Sequence, residues 1–189
     1  LPEPVKKVLK VDGSLDWVPL SLFIIIPTMS TGEWVAHNLC SVNSLLPKEN
    51  KLWGLGFMSK AFGLWYANIE TCIGMTQWKN PALKLHSHYG HFKIVTAYTP
   101  VHTYAKTLTY RLDVDPSVWP GFFGQTVKSG FQDKFEPAGF DVSTDNVDSL
   151  KAFQERIEAG EGEFYLDAAE ILLKPLDASL KVYRKPRVE

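Results

Sequence analysis

The hydrophobic positions of this chain fall into short runs rich in β-branched and aromatic residues, at 17–26, 33–42, 64–73, 83–88, 92–99 and 102–114. Such runs predict strands. Turn chemistry separates them: Ser30-Thr31-Gly32, Lys79-Asn80-Pro81, Tyr89-Gly90 and Thr99-Pro100. Pro100 marks a tight reversal, because proline cannot donate to a ladder there. The stretch 102–111 alternates most cleanly. His102, Tyr104, Lys106, Leu108 and Tyr110 would face one way, and Thr103, Ala105, Thr107, Thr109 and Arg111 the other. The run 20–27, with Ile24-Ile25-Ile26 inside it, reads as a strand buried on both faces and is too short to span a bilayer.

Helical spacing is rarer. Ser143 or Asp145 can cap a segment reaching about Ala159, with Val147, Leu150, Ala152, Phe153 and Ile157 on one face and Gly160 and Gly162 to stop it. A second helical piece is expected around Lys60, which Gly54 and Gly56 precede and Gly63 follows. The stretch 167–183 contains Pro175 and is expected to end as a strand over 179–183. Many strands and few helices predict a mainly β (α+β) domain covering 1–189. The expected form is an antiparallel β-barrel or cone around an apolar pocket, with one or two peripheral helices, because closure removes exposed edges.

Composition changes this picture only by exclusion. The chain has 189 residues, 45% hydrophobic and 22% charged, enough for one packed core and unlike a disordered chain. Its 20 basic and 21 acidic residues nearly cancel, and basic clusters are as short as Lys6-Lys7 and Arg184-Lys185, so neither nucleic acid nor a membrane is expected as partner. The chain opens at Leu1, which implies sequence upstream; no signal peptide is visible, and a cytoplasmic location is expected. Cys40 and Cys72 make no disulfide framework and are expected as two buried, reduced thiols.

Four features could carry chemistry. His86, His88 and His91 could meet at a hairpin end and hold zinc, but their spacing matches no zinc motif, and exposed histidines are the plainer account. Trp53, Phe57, Phe62, Trp65 and Tyr66 flank a glycine-rich segment, where they either line an apolar cavity or pack as core. Trp119, Phe122 and Phe123, set among Pro120, Gly121 and Gly124, suggest a lid or a subunit contact. Lys60 stands among Met58, Ser59, Ala61, Phe62 and Gly63. Desolvated there, its amine would lose its proton more easily and attack a carbonyl. The residues alone favour the plainer account, a lysine that snorkels to water.

A resemblance bears on that choice. Gly32-Glu33-Trp34, Leu52-Trp53-Gly54 and Ser59-Lys60-Ala61-Phe62-Gly63 together resemble the acetoacetate decarboxylase family and its wider superfamily. Tyr89-Gly90-His91-Phe92-Lys93 and the residues to Tyr98 are similar to the family's next strand, and Ile171-Leu172-Leu173-Lys174-Pro175 is weakly like its closing segment. The likeness covers about half the chain by pattern. It implies an antiparallel β-cone, often oligomeric, in which Lys60 forms a Schiff base. The sequence departs from the family at Ala61, in place of a second lysine, and at Ser59, in place of a proline. It lacks the family's Tyr-x-Glu motif, the nearest carboxylate being Asp16, and it has no counterpart of an amino-terminal arginine. The expected function is therefore lyase-like, without a cofactor: Lys60 condenses with a small ketone or keto-acid, Asp16 moves protons, and Trp53, Phe57, Phe62, Trp65 and Tyr98 hold the substrate in a homo-oligomer. The alternative is a non-catalytic barrel that binds a hydrophobic small molecule.

Overall fold

The structure is a computed structural model that describes residues 1–11, 13, 17–100, 106–114 and 134–186. Its helices are α1 (Glu3–Leu9), α2 (Leu55–Tyr66), α3 (Ala82–His86), α4 (Val147–Glu158) and α5 (Ala168–Leu173). The strands are β1 (Ser21–Pro27), β2 (Glu33–Ser41), β3 (Thr71–Gln77), β4 (Gly90–Thr96), β5 (Thr107–Val114), β6 (Glu136–Ser143), β7 (Phe164–Leu166) and β8 (Ser179–Arg184). They form one sheet in the order β1-β2-β3-β5-β4-β7-β8-β6. All neighbours are antiparallel except β2 and β3, which run parallel with Glu33 beside Thr71 and Val35 beside Ile73. Parallel neighbours cannot be joined by a tight hairpin. The long connection that carries α2 makes this pair possible and brings α2 back onto β1 and β2.

One face of the central strands supplies the core. Cys72, Gly74 and Thr76 on β3, Leu108, Tyr110 and Leu112 on β5, and Phe92 and Ile94 on β4 are buried, in the two-residue period of a pleated sheet. The alternation expected around Leu108 and Tyr110 is thus present from Leu108 on, Thr107 being buried as well; 101–105 lie outside the described residues. α4 is present, but its N-cap is Asn146 rather than Ser143 or Asp145: the Asn146 side-chain oxygen accepts from the amides of Asp148 (2.9 Å) and Ser149 (3.3 Å). Leu150 and Phe153 turn inward, while Ala152 is exposed.

Several expectations need correction. The described pairings leave β1 and β6 each with one neighbour, so the described sheet is open rather than a closed barrel. Alternation reports a buried face but says nothing about a closing partner. The run 64–73 is helical to Tyr66 and becomes strand only at Thr71, and 83–88 is α3 with a 3-10 turn. A short apolar run does not distinguish helix from strand, and Pro81, at the N-cap of α3, favours a helix start. Gly63 lies inside α2 rather than after it. β6 escapes the pattern because Pro137 and Gly139 interrupt it; both are tolerated on an edge strand with an irregular register. Cys40 is exposed, and only Cys72 is buried.

Candidate active site

α2 is apolar almost all round, and its two faces have different fates. Lys60, Ala61 and Leu64 are buried toward the sheet, whereas Met58, Phe62, Trp65 and Tyr66 point outward and are exposed. The helix lies close because position 63 has no side chain: a Cβ there would stand 2.8 Å from Cδ1 of Phe23. Lys60 is therefore pressed into the core at 0% exposure.

Its amine meets no carboxylate among the described residues. Nζ lies 2.9 Å from Nδ1 of His86 and 5.3 to 5.9 Å from the ring centres of Tyr89, Phe23 and Tyr110. A protonated Lys60 can only donate, so His86 Nδ1 accepts and the imidazole proton sits on Nε2. Burial lowers the Lys60 pKa from 10.5 to about 8, with the nearby Cys72 thiol pulling weakly the other way. Burial, and then the charge of Lys60, push His86 well below the ordinary histidine range, so the imidazole stays neutral. Burial likewise raises the Cys72 thiol and holds the Tyr110 phenol well above its usual range. Both keep their protons at pH 7. The cluster is a single titrating amine among neutral neighbours.

A hollow of about 240 Å³ adjoins this cluster, and Phe23, His86 and Tyr110 all belong to its wall. Lys60 stands one layer behind them. The Tyr110 hydroxyl is buried with no hydrogen-bond partner among the described residues. It lies over Gly74, its partner in the β3–β5 register, and a Cβ on Gly74 would overlap it. A second hollow, of about 730 Å³, is walled by Leu39, Trp53, Phe57, Leu85 and His88. Leu39 and Ala82 border both.

The residues named from sequence are thus dispersed. Lys60 is at the centre, and Asp16 lies outside the described residues, as does the loop with Trp119, Phe122 and Phe123. Trp53 and Phe57 line the larger hollow, Trp53 being almost fully exposed. Phe62 and Trp65 line neither hollow and lie on the outer face of α2, where Phe62 stacks on Tyr66. Tyr98 also lines neither; its amide and that of Ala97 donate to Gln154 on α4, and Lys151 lies over its ring. The histidines do not gather at a hairpin end. His86 is buried at the close of α3, His88 meets Phe57 edge-on, and His91 faces Phe135. No group of three His, Cys, Asp or Glu among the described residues could hold a metal ion. Of the other cluster members, the sequence points to His86 only as a possible zinc ligand, to Tyr110 only as a position in an alternating run, and to Phe23 not at all. Tyr110 carries a signal in its inward place in the strand alternation, but no local pattern ties His86 to Lys60.

No protein-family model, no curated protein and no solved structure matches the chain.

Proposed function

We propose that Lys60 is the nucleophile of a lyase-like enzyme that forms a Schiff base with a small carbonyl compound. The observation that carries this reading is the fully buried amine, with no carboxylate partner among the described residues, beside a neutral imidazole. With its pKa near 8, about a tenth of Lys60 is free amine at pH 7, against roughly three parts in ten thousand for an ordinary lysine. Attack by the lone pair forms the C–N bond, and the carbonyl oxygen takes up a proton. Loss of water leaves a protonated imine. That cation then accepts the electron pair of an adjacent C–C bond, or that of an α C–H bond whose enamine expels a β-hydroxyl as water, the step that makes a lyase. The resemblance of the Lys60 segment to the acetoacetate decarboxylase family supports the same role. Ala61 supplies no second charge, so burial alone activates the amine.

Borohydride reduction in the presence of a panel of small ketones and keto-acids, followed by peptide mapping, tests the reading. The expected result is a reduced adduct on the peptide carrying Lys60 and none in Lys60→Ala. Adducts spread over surface lysines, or equal in the variant, would sink it.

A second reading rests on the larger hollow. Its size and its Leu39, Phe57 and Leu85 walls suit a hydrophobic ligand held without chemistry. Under that reading a ligand binds wild type and Lys60→Ala alike, and Phe57→Ala weakens it.

A further inference from the structure

The wall of the smaller hollow contains Phe23, Ala36, Leu39, Met75 and Ala82 as its apolar part. The remainder is His37, Asn38, Thr76, Asn80, His86 and Tyr110. None of these carries a fixed charge. A volume of about 240 Å³ equals the share of about eight water molecules in the liquid, which limits the occupant to a small organic molecule. Tyr110 belongs to this wall, and its hydroxyl, buried over Gly74, has no hydrogen-bond partner among the described residues. An unsatisfied buried donor is costly, and a bound acceptor would satisfy it.

We propose that this hollow selects an uncharged aldehyde or ketone over a keto-acid, with the carbonyl oxygen accepting from the Tyr110 hydroxyl. The inference rests on the imine reading of Lys60 and narrows it. A carboxylate in the hollow would be desolvated with no fixed cation among the described wall residues, which is unfavourable unless it pairs with Lys60 itself. That pairing defeats the chemistry, because an anion beside an ammonium stabilises its protonated form and silences the nucleophile. An uncharged carbonyl leaves the amine as burial has set it. The Tyr110 donor then stabilises the oxygen as negative charge develops on it during attack. Aldol cleavage or dehydration of a neutral β-hydroxy carbonyl fits this selection, and decarboxylation does not.

The experiment compares pyruvate with methyl pyruvate, which share a ketone and differ in charge. Borohydride trapping at Lys60 is measured for each at pH 7.5 and divided by the rate for Nα-acetyl-lysine amide, which removes their intrinsic difference in reactivity. The expected result is at least a tenfold preference for the ester. Equal normalised rates, or a preference for pyruvate, overturn the inference and leave the imine reading standing. If neither labels Lys60, the imine reading fails, and melting temperature without borohydride decides the hollow's preference. A rise with the ester alone sustains selection of uncharged ligands, and an equal rise or none ends it.

Discussion

At the scale of the residue, Lys60 sets the pH response of both reactivity and stability. Its folded pKa of about 8 lies below the ordinary 10.5, so between these values the unfolded chain holds more protons than the folded one. Stability therefore rises with pH across that window and is lowest, for this group, below pH 8. The full cost of burying the ammonium is roughly 3 kcal/mol. Lys60→Met removes it, so the variant's advantage over wild type is expected to be largest at pH 7 and to shrink toward pH 10 in urea unfolding. A difference that stays constant with pH would contradict the buried-ammonium account. Reductive labelling of Lys60 should rise with pH and level off above about 8, while surface lysines keep rising toward 10. Tyr110→Phe removes an unsatisfied buried hydroxyl, so it is expected to hold or raise the melting temperature while slowing adduct formation at Lys60 about tenfold. A variant equally reactive would show that the hydroxyl plays no part.

At the scale of the element, the β2–α2–β3 crossover places the amine. Leu64, one turn after Lys60 on the same face, anchors α2 at 1% exposure. Leu64→Ala is expected to cost about 2–5 kcal/mol, and to weaken Lys60 trapping at temperatures where the variant is still folded. Gly74 plays the matching part on β3. Gly74→Ala places a methyl where the Tyr110 hydroxyl lies, with an expected loss of about 1–3 kcal/mol in chemical denaturation. Both elements were partly visible in the pattern. The apolar and small residues around Lys60 announce a helix with a close neighbour. Its partner strand and the register that brings Tyr110 over Gly74 depend on non-local pairing, which no local spacing contains.

At the scale of the whole molecule, the outer ridge of α2 is left uncovered by the described residues. Phe62, Trp65 and Tyr66 are 60%, 62% and 75% exposed, and Met58 is 61% exposed. Side chains of this size expose together roughly 500 Å², a large share of the ~800 Å² that each partner buries in a standard interface. β1 beside them is an edge of the described sheet. We propose that a second copy of this chain covers the ridge. Light scattering should then give a dimer for wild type and a monomer for the double variant Phe62→Glu with Trp65→Glu. A wild-type chain that stays monomeric up to high micromolar concentration would remove the proposal. The double variant also separates this surface from the imine site, since trapping at Lys60 should survive it.

By itself the sequence determined the strand-rich character, the two-faced alternation that β5 carries, a helix reaching about Ala159 and the suspicion attached to Lys60. Each of these is a local property, set by side-chain period, by turn and cap residues, or by the company a lysine keeps. The tertiary structure decided that Lys60 is buried rather than snorkelling, because α2 folds back with that residue inward and Gly63 lets Phe23 close over it. It also turned an expected strand at 83–88 into a helix that delivers His86 to the amine, 26 residues away in sequence. Trp65 and Phe62, which share the composition of a pocket wall, came to lie outside. Burial and pairing between distant segments depend on how the whole chain packs. A pattern of residues can single out a lysine, but only packing can bury it.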